Sequence, residues 1–333
     1  MKILRTLTAV FLVFAMLVSF AACAGNGGSE KKDETTTANY IREEKTRIAV
    51  PEDSSGLSLA KLAVDRDYAY AVSRHKSTDE IATLIKEGKT DLAIVPVSVA
   101  VNLFRETQGG IRILAVNNLV TQYVITKGEE VNELADLKGK TVYSLGKGTA
   151  SEFIVNEILD KNGIDPEKDI TVEYKDTPDE IKAAFEKENG GICILHEPQA
   201  TEFLVADTKS KRVIRLSEEW KKAEGFDLVQ NVVIARKDYI DKNPEYIEKF
   251  LGHNELSLNF LSANADGVSP SFLVNNGYYS DATVAASIIA AGNFAFITGD
   301  EMKTSVNGVL DFLSRTDPES ISEIPDGELF YIK

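Results

Sequence analysis

The sequence is poor in the residues that most often carry catalysis or bind metals. Its 333 residues include two cysteines and three histidines. No His-Glu-x-x-His pair or other close set of His, Cys and carboxylate residues occurs, which argues against a metal site. No Gly-x-Ser-x-Gly turn is present to expose a nucleophilic serine. These absences predict a protein that is not an enzyme and needs no cofactor.

The sequence also lacks a nucleotide-binding loop, although residues 143–153, YSLGKGTASEF, are rich in glycine around a lysine. Such a loop reads Gly-x-x-x-x-Gly-Lys-Ser/Thr, whereas Gly148 is followed directly by Thr149. We interpret the segment as a strand-to-helix turn whose free N–H groups and helix dipole suit a polar or anionic ligand group. The alternative is an ordinary helix start that contains glycine.

Long hydrophobic runs are confined to the N-terminus. Lys2 and Arg5 precede an uncharged run that ends at Cys23. Its apolar stretch is too short to span a bilayer comfortably, so we predict a signal peptide over residues 1–22.

The end of that run, Phe20-Ala21-Ala22-Cys23, resembles a lipobox, with Phe20 where leucine is usual. The resemblance implies that Cys23 carries lipid and becomes the mature N-terminus, anchoring the protein outside the cytoplasm. The alternative is a signal peptide with an incidental cysteine. Residues 23–45 are small, polar and charged, which predicts a flexible tether.

Acidic residues outnumber basic ones: the sequence contains 52 Asp and Glu and 37 Lys and Arg, which gives a net charge of −15. Removing residues 1–22, with Lys2 and Arg5, makes the charge −17. This acidity argues against a nucleic-acid partner and against a basic membrane-binding patch, so attachment to the membrane depends on the lipid. If Cys23 is acylated, Cys193 has no partner, and about 290 residues must form a stable core without disulfides.

The chain contains an internal repeat. Residues 77–104 align without gaps on residues 177–204, and each copy predicts a helix, an apolar strand, a turn and a second helix. Ser77 and Thr177 occupy the predicted N-cap positions, each followed three residues later by glutamate. The repeat predicts an α/β protein with two similar lobes, whose central, mostly parallel sheets are joined by two hinge strands.

The segments that cross between the lobes define the predicted domains. Lobe one is predicted to comprise residues 46–122 and 235–333, with the C-terminal helices packed mostly on it. Lobe two is predicted to comprise residues 126–230, and the hinge is predicted near residues 120–127 and 229–236.

In such sheets, ligands bind beyond the carboxyl ends of the strands, where loops lead into helices. The predicted ligand-binding residues are Ser54, Ser55, Gly56, Pro96, Val97, Ser98, Asn117, Thr121, Gly148, Thr149, His196, Glu197, Gln230 and Asn231. Most have a structural alternative: the serines cap helices, the hinge residues satisfy exposed backbone, and His196 and Glu197 cap a helix and pair across the cleft.

Several segments together resemble a known family, among them TDLAIVPVSVAVNLF, LADLKGKTVYSLGKGTASEFIVNEIL and ILHEPQAT. They are similar to substrate-binding proteins of ABC transporters with the type II periplasmic-binding fold, in the nitrate/sulfonate/taurine and thiamine-precursor branch. The resemblance extends from about residue 46 to the end. It implies a monomeric receptor that closes on a small-molecule solute and passes it to a permease and its ATPase. His196 departs from the family's Leu-Pro-Glu-Pro loop, so the identity of the ligand does not carry over.

Two other functions remain open at this point: a sensory lipoprotein that presents its ligand to a membrane receptor, and an enzyme on the same fold. The ligand is also open. Helix starts favour an anionic group, whereas Asp53, His196 and Glu197 favour a nitrogen heterocycle. The predicted loops contain no arginine to pair with a fixed anion, which favours the heterocycle.

Overall fold

The computed structural model describes residues 45–65, 68–318, 321, 325 and 328–332. The predicted signal peptide, the lipid attachment at Cys23 and the predicted tether up to residue 44 lie outside the described residues. Within the described part of the chain, no helix is both long and apolar enough to cross a membrane.

Strands and helices alternate along most of the chain. The strands are β1 (Thr46–Pro51), β2 (Tyr70–His75), β3 (Leu92–Pro96), β4 (Ile111–Leu119), β5 (Gln122–Lys127), β6 (Thr141–Ser144), β7 (Thr171–Tyr174), β8 (Gly191–His196), β9 (Lys211–Arg215), β10 (Val229–Arg236) and β11 (Phe294–Ile297). The helices are α1 (Ala60–Val64), α2 (Thr78–Lys86), α3 (Val97–Glu106), α4 (Ala150–Lys161), α5 (Pro178–Glu188), α6 (Gln199–Ala206), α7 (Leu216–Glu224), α8 (Lys237–Lys242), α9 (Pro244–Ala263), α10 (Val268–Asn275), α11 (Ala282–Ala291) and α12 (Gly299–Thr316). Short 3-10 helices occupy Ser54–Leu59 and Leu134–Leu137.

The strands form two sheets, one in each lobe. Lobe one has the order β11-β4-β10-β3-β1-β2, and lobe two has the order β7-β6-β8-β5-β9. The parallel pairs are those of β1 with β2 and β3, and of β6 with β7 and β8. In contrast, β10 and β5 run antiparallel to both of their neighbours, and β11 runs antiparallel to β4. Both sheets are therefore mixed. The reason is that β5 and β10 each follow a crossing from the other lobe, so they enter their sheet from the cleft and run in the opposite direction.

The predicted repeat is confirmed, because α2–β3–α3 in lobe one corresponds to α5–β8–α6 in lobe two. The predicted N-cap bond is present in only one copy. The hydroxyl of Thr177 accepts the Glu180 N–H at 3.4 Å, whereas Ser77 makes no side-chain capping bond. Pro178 follows Thr177 at the first helical position, where its fixed φ suits the helix.

The C-terminal helix α12 connects the cores of both lobes. Its apolar face packs into one cluster of buried residues that contains strands of lobe one and helices α4 and α7 of lobe two. Trp220 on α7 is 1% exposed and meets the ring of Phe312 on α12 edge-on, with centroids 4.9 Å apart. The C-terminal helices were predicted to pack mostly on lobe one, but α12 also packs against helices α4 and α7 of lobe two.

A polar cleft at the carboxyl ends of the strands

The loop after β1 forms the first wall of the cleft. The Asp53 carboxylate accepts the Ser55 N–H at 2.8 Å and the Ser55 hydroxyl at 2.5 Å, which caps the 3-10 helix. A Cβ on Gly56 would lie 2.1 Å from the Pro51 carbonyl oxygen, so only glycine allows the chain to fold back this tightly. Ser54 is half-buried, whereas Ser55 is 2% exposed and its hydroxyl is bound to Asp53.

Buried asparagine side chains form hydrogen bonds to this loop and between the neighbouring strands. Ser58 donates to Asn117 Oδ1 at 2.6 Å, and Asn117 Nδ2 donates to the Ser55 carbonyl at 2.9 Å. On the hinge strands, Asn231 Nδ2 donates to Asn118 Oδ1 at 3.0 Å. These asparagines are at most 4% exposed, so their hydrogen bonds hold the loop and the crossing strands in place.

The second lobe-one loop lies where β3 ends at Pro96 and α3 begins at Val97. Val97 is buried, while Pro96 and Ser98 are half-buried. No side chain caps this helix, so its first N–H groups remain available at the cleft edge.

The glycine turn of lobe two leads into α4. Gly146 and Gly148 have φ values of 78° and 74°, a region that favours glycine. The Thr149 hydroxyl donates to the Gly146 carbonyl at 2.6 Å, and the Gly148 N–H donates to Glu152 Oε2. Gly148 and Thr149 are exposed at the rim, and the predicted anion-binding N–H of Gly148 already has a carboxylate partner from its own helix.

A hydrogen-bonded relay connects the hinge to the loop after β8. Gln122 Nε2 donates to the Ser151 hydroxyl oxygen at 2.7 Å, and this oxygen lies 2.9 Å from His196 Nε2. Ser151 thus links the Gln122 amide to the His196 ring, and which of the two, serine or imidazole, donates in the second bond depends on the tautomer of His196. Burial lowers the pKa of His196 to about 4, so the ring is neutral near pH 7.

Glu197 forms a buried ion pair with Arg212. Its side chain is fully buried, and Oε1 lies 2.6 Å from an Arg212 nitrogen. Oε2 accepts the Thr201 N–H at 3.3 Å, and the guanidinium stacks 4.5 Å from the centre of the Tyr123 ring. Burial raises the pKa of Glu197, and the nearby Arg212 charge opposes that rise. A cis peptide bond joins Glu197 to Pro198.

The loop between α10 and α11 adds two tyrosines to the cleft. Gly277, with φ of 73°, ends α10, and the Arg74 guanidinium lies 4.5 Å from the centre of the Tyr278 ring. Burial raises the pKa of Tyr279 to about 12; the charge of Arg74 opposes this shift, and those of Asp53 and Glu197 add to it. Tyr279 therefore lies within electrostatic range of loops from both lobes.

The structure brings part of the predicted set together. His196 and Glu197 lie beside Gln122 and Ser151, and the Thr121 carbonyl accepts the Glu197 N–H at 3.1 Å. Gln230 is half-buried, and its Oε1 has no hydrogen-bond partner in the described part of the chain.

Sequence reasoning missed the residues that reach the site through distant pairing. Arg212 lies on β9, which adjoins β5 at the edge of the sheet, and nothing in the local sequence marks it as the partner of Glu197. Tyr278 and Tyr279 carried one usable signal, an aromatic pair in a glycine turn between two helices.

The structure offers no metal-binding cluster, since no group of three His, Cys, Asp or Glu residues converges among the residues described. Cys193 is buried on β8, and burial raises the pKa of its thiol.

The profile of the family described as NMT1/THI5 like matches residues 71–266, which is more than half of the sequence. The chain belongs to this family. It is 25% identical over 251 residues to the "Putative binding protein YtlA" of Bacillus subtilis (strain 168), covering 72% of this chain and 68% of that protein. The resemblance inferred from the sequence segments is thus confirmed at the level of the family.

Solved structures share the fold of this NMT1/THI5-like protein. An ABC transporter protein from Parabacteroides distasonis superimposes with a TM-score of 0.69 at 17% identity, over 87% of this chain and 99% of its own. The periplasmic aliphatic sulphonate binding protein SsuA from Escherichia coli gives 0.63 at 18% identity, over 87% and 93%. The predicted two-lobed periplasmic-binding fold is confirmed.

Acid is expected to weaken this protein through His196. The pKa of the folded state is about 4 and the ordinary value is 6.5, so the unfolded chain binds more protons between these pH values. The His196 contribution is complete above pH 6.5 and lost as the pH falls towards 4, by about 3 kcal/mol for a shift of this size. Urea unfolding at pH 7.0 and 4.5 should show a smaller loss for His196→Gln than for the wild type. Equal losses would contradict the assignment.

Proposed function

We propose that this protein is the extracytoplasmic solute-binding component of an ABC importer, anchored by lipid at Cys23, and that it holds a small polar or nitrogen-heterocyclic metabolite between its lobes. One observation carries the proposal: two lobes of like topology direct polar loops into a cleft that contains the Gln122–Ser151–His196 relay. The family match and the binding proteins among the relatives support it.

The Ser151–His196 contact supports binding more than catalysis. A serine–histidine pair at 2.9 Å has the spacing of a nucleophile and its base. Here the Gln122 amide donates to the serine oxygen and draws electron density from it, which weakens it as a nucleophile. Among the described residues, no carboxylate bonds to His196 Nδ1 to orient the ring as a catalytic triad does.

The proposed mechanism is closure of the two lobes about the crossing strands, with the hinge near residues 120–127 and 229–236. Ligand would bind mainly to one lobe first and stabilise the closed form through contacts with the other. The closed form would dock on a permease whose ATPase drives uptake, and the receptor would act as a monomer. A sensory role remains the second candidate, and capture of a permease by the closed form would distinguish the two.

Native purification tests the proposal directly. The protein without residues 1–22 is expected to carry a small molecule near one equivalent, identified by mass spectrometry after denaturation. His196→Ala should lose it, because the ring at the end of the relay is removed, while Ser280→Ala, an exposed change, should keep it. Circular dichroism checks that both variants fold.

A retained compound that is chemically converted would contradict the binding role and indicate an enzyme. Absence of any compound, together with no stabilisation in a broad ligand screen, would contradict solute capture.

A further inference from the structure

Helix α11 contacts both lobes, although along the chain it lies among the helices that follow lobe one. Its apolar face, with Ala285, Ile288 and Ile289, belongs to a cluster of buried residues that also contains Leu57 and Leu261 of lobe one. The three α11 residues are at most 5% exposed. Because burial of apolar surface is the main favourable term in packing, this face holds α11 on lobe one.

The C-terminal end of α11 is bonded to lobe two. The Tyr123 hydroxyl on β5 donates to the Ala291 carbonyl, and Arg215 on β9 donates to the Ala290 carbonyl at 3.3 Å. Ala291 is 0% exposed and lies in the cluster of buried residues that forms the core of lobe two. The same helix is therefore packed on one lobe and hydrogen-bonded to the other.

Asn293, in the turn after α11, is bonded through its side chain and its backbone. Its Oδ1 accepts from Arg215 at 3.0 Å, and its Nδ2 donates to the Val120 carbonyl and to the Ser217 hydroxyl oxygen, each at 2.8 Å. Its own carbonyl accepts the Leu119 N–H at 2.9 Å. These partners belong to lobe two and to the crossing between β4 and β5, so the turn is fixed at the point where the chain passes between the lobes.

A longer contact joins the middle of α11 to lobe two. Thr201 Oγ1 on α6 lies 3.3 Å from Ser287 Oγ, and either hydroxyl can donate. Arg212 donates to Thr201 Oγ1 at 3.2 Å, and the Thr201 N–H donates to Glu197 at 3.3 Å. Thr201 is 0% exposed, so its hydroxyl is held in place facing the helix.

The two attachments of α11 to lobe two differ in strength. Arg215 donates two charge-assisted bonds to the turn, and such bonds are about twice as strong as neutral ones. The Thr201–Ser287 contact is a neutral pair at 3.3 Å, longer than the usual hydroxyl pair of about 2.7–2.8 Å. Rotation of the lobes about the crossing strands would therefore break the contact at Ser287 before those at Asn293.

We propose that α11 is a latch for the closed cleft: the turn at residues 290–293 stays bonded to lobe two as a third hinge element, while the Thr201–Ser287 hydrogen bond forms on closure and breaks on opening. This inference rests on the proposed function, since closure of the lobes is the motion by which that function captures a solute. The latch sets the ratio of open to closed molecules, and that ratio scales the apparent affinity for any solute.

Distances between two spin labels, measured by double electron–electron resonance, report this ratio directly. The labels are attached through Lys76→Cys and Asp176→Cys, at exposed residues that precede the two predicted N-cap positions of the repeat, one in each lobe. The chain is used without residues 1–23, so that the buried Cys193 is the one native cysteine left. Samples are measured as purified and after small molecules are removed in denaturant and the protein is refolded. Open and closed molecules should give two distances.

Ser287→Ala should raise the ratio of the long distance to the short one by about threefold or more, the effect of losing one hydrogen bond. Ser287→Thr keeps a hydroxyl and should keep the wild-type ratio, which a change in helix packing alone would not explain. Thr283→Ala, exposed and one turn earlier on the same helix, is the matched control and should leave the ratio unchanged.

Asn293→Gly tests the hinge element separately. The φ of Asn293 is 48°, a left-handed conformation that glycine adopts readily, so the variant keeps the turn but loses the side-chain hydrogen bonds. Both distance distributions should broaden, because the end of α11 is no longer fixed to lobe two. Circular dichroism checks that every variant folds.

The outcomes separate the latch from the proposed function. If the wild type shows two distances but Ser287→Ala leaves their ratio unchanged, or Ser287→Thr changes it equally, the latch is wrong and solute capture stands. Unchanged widths in Asn293→Gly would overturn the third hinge element. A single distance in the wild type, both as purified and after refolding, would contradict closure itself, and the inference would fail together with the proposed mechanism.

Discussion

Replacing Arg212 with alanine is expected to lower the free energy of unfolding by about 3–5 kcal/mol, the usual cost of leaving a buried charge without its partner. The Glu197 side chain is fully buried, and Arg212 is its ion-pair partner at 2.6 Å. Truncation also removes the guanidinium stacked on Tyr123. Urea unfolding followed by circular dichroism measures the loss.

A double variant separates the charge from the packing. Adding Glu197→Gln to Arg212→Ala replaces the unpaired carboxylate with a neutral amide, so part of the lost stability should return. Lys168→Ala removes a cation from the exposed pair with Asp165 and serves as the surface control, with no measurable change expected. A loss in Arg212→Ala no larger than in this control would show that the pair contributes nothing.

Replacing Trp220 with alanine is expected to lower the free energy of unfolding by about 3–5 kcal/mol, the usual cost of truncating a buried tryptophan. The side chain is 1% exposed and packs between Phe226 and Phe312. Because this contact joins α7 of lobe two to α12, its loss should also uncouple the lobes. We expect the single urea transition of the wild type to separate into two steps, measured by far-UV circular dichroism.

A milder truncation at an exposed position provides the comparison for Trp220. Val205→Ala, at a side chain that is 51% exposed, should leave both the midpoint and the cooperativity unchanged. A Trp220→Ala protein that unfolds in one transition of unchanged midpoint would show that α12 does not couple the lobes.

Local patterns in the sequence were sufficient to predict the repeat and the loops at the carboxyl ends of the strands. Apolar runs predicted the strands, and turn residues such as Gly148 predicted the positions where strands lead into helices. The periodicity could not show that β5 and β10 run against their neighbours, because direction depends on where the chain enters each sheet.

The chemistry of the cleft was only partly predictable from the sequence. His196 and Glu197 were identified because they lie at the end of a buried strand. Their partners, Ser151 and Arg212, reach them through pairing between strands and loops that are distant in sequence. Asn117 was predicted to bind ligand, but its amide nitrogen donates to the Ser55 carbonyl. Nothing in the local sequence indicates this hydrogen bond, because Ser55 is distant along the chain.

The intrinsic fluorescence of the protein depends on the position of the one tryptophan in the sequence. Trp220 lies where α7 of lobe two meets α12, so its indole emission depends on how closely the two helices pack. Any movement of the lobes that loosens this contact admits water around the ring and shifts the emission to longer wavelength. The molecule thus contains its own fluorescent probe, and the proposed closure of the lobes can be tested in stopped-flow experiments on unlabelled protein.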